Sequence, residues 1–75
     1  MSHQKTVVVK LLGERIRKLR NENHLSLESL AFKADMDYTQ LSRIELGKIN
    51  TSTYQIYKIA EALNISILDI LSVLD

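Results

Sequence analysis

The 75-residue chain has no cysteine, no proline and only two glycines, Gly13 and Gly47. Without cysteine neither a disulfide framework nor a thiolate metal site can form. The want of proline and glycine disfavours a turn-rich β fold and favours helices. No apolar run approaches the roughly 18 residues of a membrane span, so no membrane segment is expected. The N-terminal MSHQKTVVVKLL has too short an apolar part for a signal peptide and lacks a small-residue cleavage site. Together these absences predict a cytoplasmic protein, in which Asn50-Thr51-Ser52 and Asn64-Ile65-Ser66 are not glycosylation sites. A chain of 75 residues allows one domain, near the lower limit of what a core without staples stabilises.

Catalytic and metal chemistry also find no footing, and no cofactor is expected. The two histidines, His3 and His24, lie near a tail and a helix end, with no carboxylate at ligand spacing. Asp35, Asp37 and Thr39 imitate the opening of a calcium loop. Gln40 then replaces the required glycine and Leu46 the closing glutamate, so calcium is rejected. No glycine-rich phosphate loop and no nucleophile–base set is present.

What the chain does have is helical periodicity with clear punctuation. Residues 1–7 read as a disordered tail and 8–75 as the domain. Val7, Val8 and Val9 favour an extended start. From about Val8 to Asn23, Leu12, Ile16 and Leu19 recur at i, i+4 and i+7, an amphipathic helix with Arg15, Arg17 and Lys18 mainly on its other face. Two short helices follow at about 27–34 and 38–46. Ser26 caps the first with Leu25 and Leu30 as a hydrophobic staple; Asp37 caps the second, with Gln40 completing a capping box and Met36/Leu41 as staple. Ala34-Asp35-Met36 leaves only a sharp corner between them, and the small Ala31 suits a close helix crossing. Gly47 stands at the C′ position that ends the second. Thr51 or Ser52 can cap a fourth helix running to about Leu63, closed by Asn64, and Ser66 with Asp69 opens a fifth. The unit from 26 to 47 is a helix-turn-helix pattern.

Its residues resemble the phage-repressor/Cro (XRE-like, Cro/C1-type) helix-turn-helix family of bacterial transcription regulators. LGERIRKLR, LSRIELGK and KIAEALNIS carry the likeness, in that order and spacing, and it extends over roughly four-fifths of the chain. The resemblance implies an all-α, five-helix, lambda-repressor-like DNA-binding domain whose partner is double-stranded DNA. No small-molecule ligand is expected. Leu27 and Asp35 depart from the family pattern, which usually has a polar residue and a turn glycine there. Asp tolerates the left-handed conformation, so the turn is expected to survive.

If Leu41 and Ile44 are buried, Tyr38, Thr39, Ser42, Arg43 and Leu46 form an outward stripe on the second motif helix. In a major groove its N-terminal half meets base edges first. Tyr38, Thr39, Ser42 and Arg43 are therefore the candidate base contacts. Arg43 leads, because a guanidinium holds O6 and N7 of guanine together, worth roughly 1–3 kcal/mol of discrimination. Ser26 and the free amides beside it form an anion site. The resemblance adds Lys48, Asn50 and Thr51 as phosphate contacts, an ordinary surface lysine being the alternative for Lys48. It also implies an ion pair between Arg20 and Glu45, which orients the recognition helix more than it stabilises the fold; two independent exposed charges are the alternative.

Net charge is only +1, but residues 1–24 hold six Lys/Arg against two Glu, while residues 51–75 hold one against three. Such segregation suits one face near nucleic acid. The last helix is apolar nearly all round. Ile67, Ile70, Leu71, Val73 and Leu74 exceed what one face buries and point to a homodimer interface; a fully buried last helix is the alternative. An interaction module, such as an antitoxin using that helix, is the alternative function.

Overall fold

The computed structural model describes residues 4–75, so His3 and the first residues of the expected tail lie outside the described part. Five α-helices run as α1 Lys5–Glu22, α2 Leu27–Lys33, α3 Tyr38–Glu45, α4 Thr53–Ala62 and α5 Ile67–Leu71, followed by a 3₁₀ turn Ser72–Leu74. Among the described residues there is no strand.

Local chemistry starts four of the helices. Ser26 Oγ accepts from Ser29 N at 3.0 Å, Asp37 Oδ2 from Gln40 N at 3.2 Å, and Ser52 Oγ from Gln55 N at 3.1 Å. Each such cap contributes about 1 kcal/mol. Ser66 and Asp69 form a complete capping box, Ser66 N donating to Asp69 Oδ2 at 3.0 Å. At Asp37 only half of the expected box forms, since Gln40 contributes its backbone and not its side chain. The cap of α4 is Ser52; Thr51 instead donates its hydroxyl to Gln55 Oε1 at 2.6 Å.

Four helices end alike. His24, Asp35, Gly47 and Asn64 each take a positive φ, of 56°, 52°, 71° and 61°. In each case the next amide reaches back to the helix, as Lys48 N does to Arg43 O at 2.9 Å and Met36 N to Ala31 O at 2.9 Å. This six-to-one bond, with the five-to-two bond beside it, is the Schellman motif. Only Gly47 has the residue type best suited to it. The expected ends at Asp35, Gly47 and Asn64 are found, and His24 adds a fourth that sequence reading did not single out.

The first boundary differs from the expectation. α1 begins at Lys5, so residues 5–7 are helical and not tail, and the valines do not start the chain extended. β-branched residues cost only tenths of a kcal/mol in a helix. Here Val8 and Val9 are half-buried, Val8 against the core, and packing overrides propensity.

Ile16, Leu30, Leu41, Ile44, Ile59 and Ile70 are fully buried, so every helix sends at least one side chain into one core. Each contributes about 1.5–3 kcal/mol by leaving water. Arg15 fastens α5 to α1, its Nε donating to Asp69 O at 2.9 Å. The rotation of α5 corrects one interface expectation. Ile70 is wholly within the core of the single chain, while Leu68 is 69% exposed. Ile67, Leu71, Val73 and Leu74 are half-buried.

Candidate nucleic-acid interface

α3 lies across α1, and the crossing is close because of Gly13. A Cβ at Gly13 would meet the carbonyl oxygens of Ile44 and Glu45, the latter at 2.8 Å. Ala31 is buried as well, on the α2 side of the core. The residues of α1 that share the face of Gly13 by helical spacing, Lys10, Arg17 and Arg20, run beside α3.

Arg20 uses that position to hold the end of α3. Its Nε donates to Glu45 Oε2 at 2.8 Å, its Nη2 to Glu45 Oε1 at 3.0 Å, and its Nη1 to Leu25 O at 2.9 Å. One guanidinium thus ties together α1, the segment leading to α2, and α3. Glu45 is the only buried charged residue among those described. The hydrogen bonds to Glu45 raise the Arg20 pKa above its usual value, against the opposing effect of burial. A planar, two-point contact of this kind fixes orientation as well as distance.

With Leu41 and Ile44 buried beneath, α3 presents Tyr38, Thr39, Arg43 and Leu46 to solvent, Tyr38 and Leu46 about half exposed at 50% and 52%. Ser42 is only half-exposed. It lines a cleft of about 180 Å³ with Arg17, Leu27, Leu46 and the Arg20–Glu45 pair. Arg17 at this cleft is a cation that sequence reading placed merely on the polar face. Its spacing of three from Arg20 and four from Gly13 was the available signal.

The predicted phosphate residues separate into two places. Ser26 is exposed at the start of α2, beside Leu27 of the cleft just described, with its oxygen accepting from Ser29 N. Lys48 and Asn50 are exposed beyond Gly47 and line a second cleft of about 280 Å³ together with Lys5 and Thr6. Asn50 Oδ1 accepts from Thr51 N at 2.9 Å. Thr51 is half-buried and its hydroxyl proton is committed to Gln55.

A family profile described as Helix-turn-helix matches residues 16–70, from the middle of α1 to the core residue of α5. The chain belongs to this family, the phage-repressor/Cro (XRE-like) group of DNA-binding transcription regulators. The family's signature elements here are α2, α3 and the corner at Asp35. Control protein C.BamHI of Bacillus amyloliquefaciens is 39% identical over 62 residues, which is 81% of this chain and 76% of that protein. Control protein C.MunI of a Mycoplasma species is 41% identical over 61 residues, 80% of this chain and 82% of that protein. Among solved structures, the restriction-modification controller protein C.AhdI of Aeromonas hydrophila superposes with a TM-score of 0.81 at 35% identity, covering 83% of this chain and 94% of that one. Among the described residues no helix is long and apolar enough to cross a membrane.

Proposed function

We propose that the chain is a sequence-specific regulator of the controller-protein kind, acting as a homodimer with α3 of each protomer in the major groove of a half-site. The observation that carries this reading is the build of α3. One face is locked down by Leu41, Ile44 and the Arg20–Glu45 pair, and the other offers exposed Tyr38, Thr39 and Arg43. A rigid helix with an undedicated polar face is what direct base readout needs.

In this reading Arg43 contacts guanine, and Tyr38, Thr39 and Ser42 contact neighbouring base edges, thymine methyl groups included. Lys48, Asn50 and Ser26 hold phosphates and set register. Thr51 supports the same loop through Gln55, and contacts a phosphate only if that bond is exchanged. Exposed Leu68, joined by half-buried Ile67 and Leu71, supplies the apolar patch for a two-fold contact on α5. Two recognition helices related this way read half-sites about 34 Å apart on a near-palindromic operator. The likeness to controller proteins supports a role in regulating the genes of a restriction–modification system.

Selection of bound sequences from a random duplex pool tests the reading. A recovered palindromic consensus supports it, and a pool with no enrichment refutes it. The exposed Leu68 also favours a second reading, a protein-interaction module that uses α5. Steeply salt-dependent binding to random duplex DNA supports the regulator, and its absence supports the module.

A further inference from the structure

α1 begins at Lys5, eleven residues before the stretch that matches the family profile at Ile16. Its residues 5–7 are helical where the sequence suggested a tail, and these first turns have a definite place. Past the crossing at Gly13, the first turns of α1 reach the chain that leaves α3. The stem of Lys10 packs on Gly47, where a Cβ would fall 2.9 Å from Lys10 Cγ. Lys5 and Thr6 then form one side of the 280 Å³ cleft whose other side is Lys48 and Asn50.

The charge of the cleft has one sign. Lys5 and Lys48 both line it, and no carboxylate does. Among the described residues the one ion pair is Arg20–Glu45, so neither lysine is neutralised within the chain. Two like charges on one concave surface repel, and an anion between them converts the repulsion into attraction.

Position decides which anion. α3 has eight residues, a length of about 12 Å, close to the width of the major groove. With α3 in the groove as proposed, the loop that leaves its C-terminal end passes beside the sugar-phosphate backbone that walls the groove. The cleft is continuous with the loop already assigned to phosphate contact.

We infer that Lys5, aided by Thr6, makes a DNA backbone contact from the α1 side, bracketing with Lys48 the phosphates at the C-terminal end of α3. The inference rests on the proposed placement of α3 in the major groove. It makes the leading turns of α1 a positioning element that adds affinity without reading sequence.

The test is a titration of the full-length wild type, Lys5→Ala and Lys5→Arg against the selected operator and a random duplex at several salt concentrations. For Lys5→Ala the slope of log affinity against log salt should shrink by about 0.9 per bound subunit on both DNAs. The ratio of operator to random affinity should stay unchanged, and Lys5→Arg should restore the slope. Circular dichroism should show helix content equal to wild type, since Lys5 is exposed. An unaltered slope for Lys5→Ala, with wild type still selective for its operator, overturns the inference alone. Wild type that selects no duplex overturns the placement of α3, and this inference with it.

Discussion

Arg20 and Glu45 meet through two nearly parallel hydrogen bonds of 2.8 and 3.0 Å, with the carboxylate side chain 4% exposed and the guanidinium 13%. The pair closes the C-terminal end of the recognition helix onto α1, and Arg20 also reaches the carbonyl of Leu25, just before α2. Sequence reasoning expected this pair to orient more than to stabilise. Its burial makes the two possible deletions unequal.

Arg20→Met strands the Glu45 carboxylate in the protein interior, and losing one partner of a buried pair costs about 3–5 kcal/mol. Against the roughly 4–11 kcal/mol expected for a domain this size, that is a large part of the margin. Glu45→Gln keeps a hydrogen-bonding partner for Arg20 and should cost about 1–2 kcal/mol. Urea denaturation should rank the variants in that order. Operator affinity should fall for Glu45→Gln while the protein remains folded; unchanged affinity would mean that the pair does not orient α3.

Gly13→Ala tests the helix crossing. Alanine ordinarily stabilises a helix interior by about 1 kcal/mol relative to glycine. At this position its methyl meets the backbone carbonyls of Ile44 and Glu45, which cannot swing aside as side chains do. Overpacking of this kind costs about 1–3 kcal/mol, so the net change should be destabilising. Thermal melting gives the sign, and a rise in melting temperature contradicts the described crossing.

Leu68 and Ile70 should behave oppositely. Leu68→Ser removes an exposed apolar side chain, so monomer stability should shift by no more than about 0.5 kcal/mol. The dimer should weaken. Ile70→Ala opens the core and should cost about 2–5 kcal/mol. Sedimentation at micromolar concentration should give about twice 8.6 kDa for wild type. A lower value is expected for Leu68→Ser, and a wild-type monomer unaffected by DNA contradicts the dimer.

The particular residues show why some features were legible in sequence. Ser26, Asp37, Ser52 and Ser66 mark helix starts because capping is settled within four residues. The helices α2, α3 and α4 end one residue earlier than periodicity indicated, at Lys33, Glu45 and Ala62, because Ala34, Leu46 and Leu63 serve as C-caps. Long-range effects were not legible. The valines at the start of α1 have a local preference that distant packing reverses. Gly13 has no local role at all, since its reason is a backbone some thirty residues away. The apolar pattern of α5 runs nearly all round, so only its docking against α1 and α4 reveals that Ile70 faces in and Leu68 faces out. The outward stripe of α3 was readable from helical spacing, while the commitment of Thr51 to Gln55 was not.

If α3 reads bases while the loop after Gly47 positions the protein, Arg43 and Lys48 separate those roles. Both side chains are exposed, so replacing either with alanine should leave the fold intact and let binding be read directly. The decisive measurement is a titration of Arg43→Ala and Lys48→Ala against the selected operator and its single-base variants at several salt concentrations. Arg43→Ala should lose about 1–3 kcal/mol on the operator and relax the preference at one base pair per half-site. Lys48→Ala should weaken all sequences nearly equally and lower the salt slope by about one per bound subunit. If Arg43→Ala instead weakens every sequence alike, Arg43 holds a phosphate, and the account of base readout by α3 is contradicted at its leading residue.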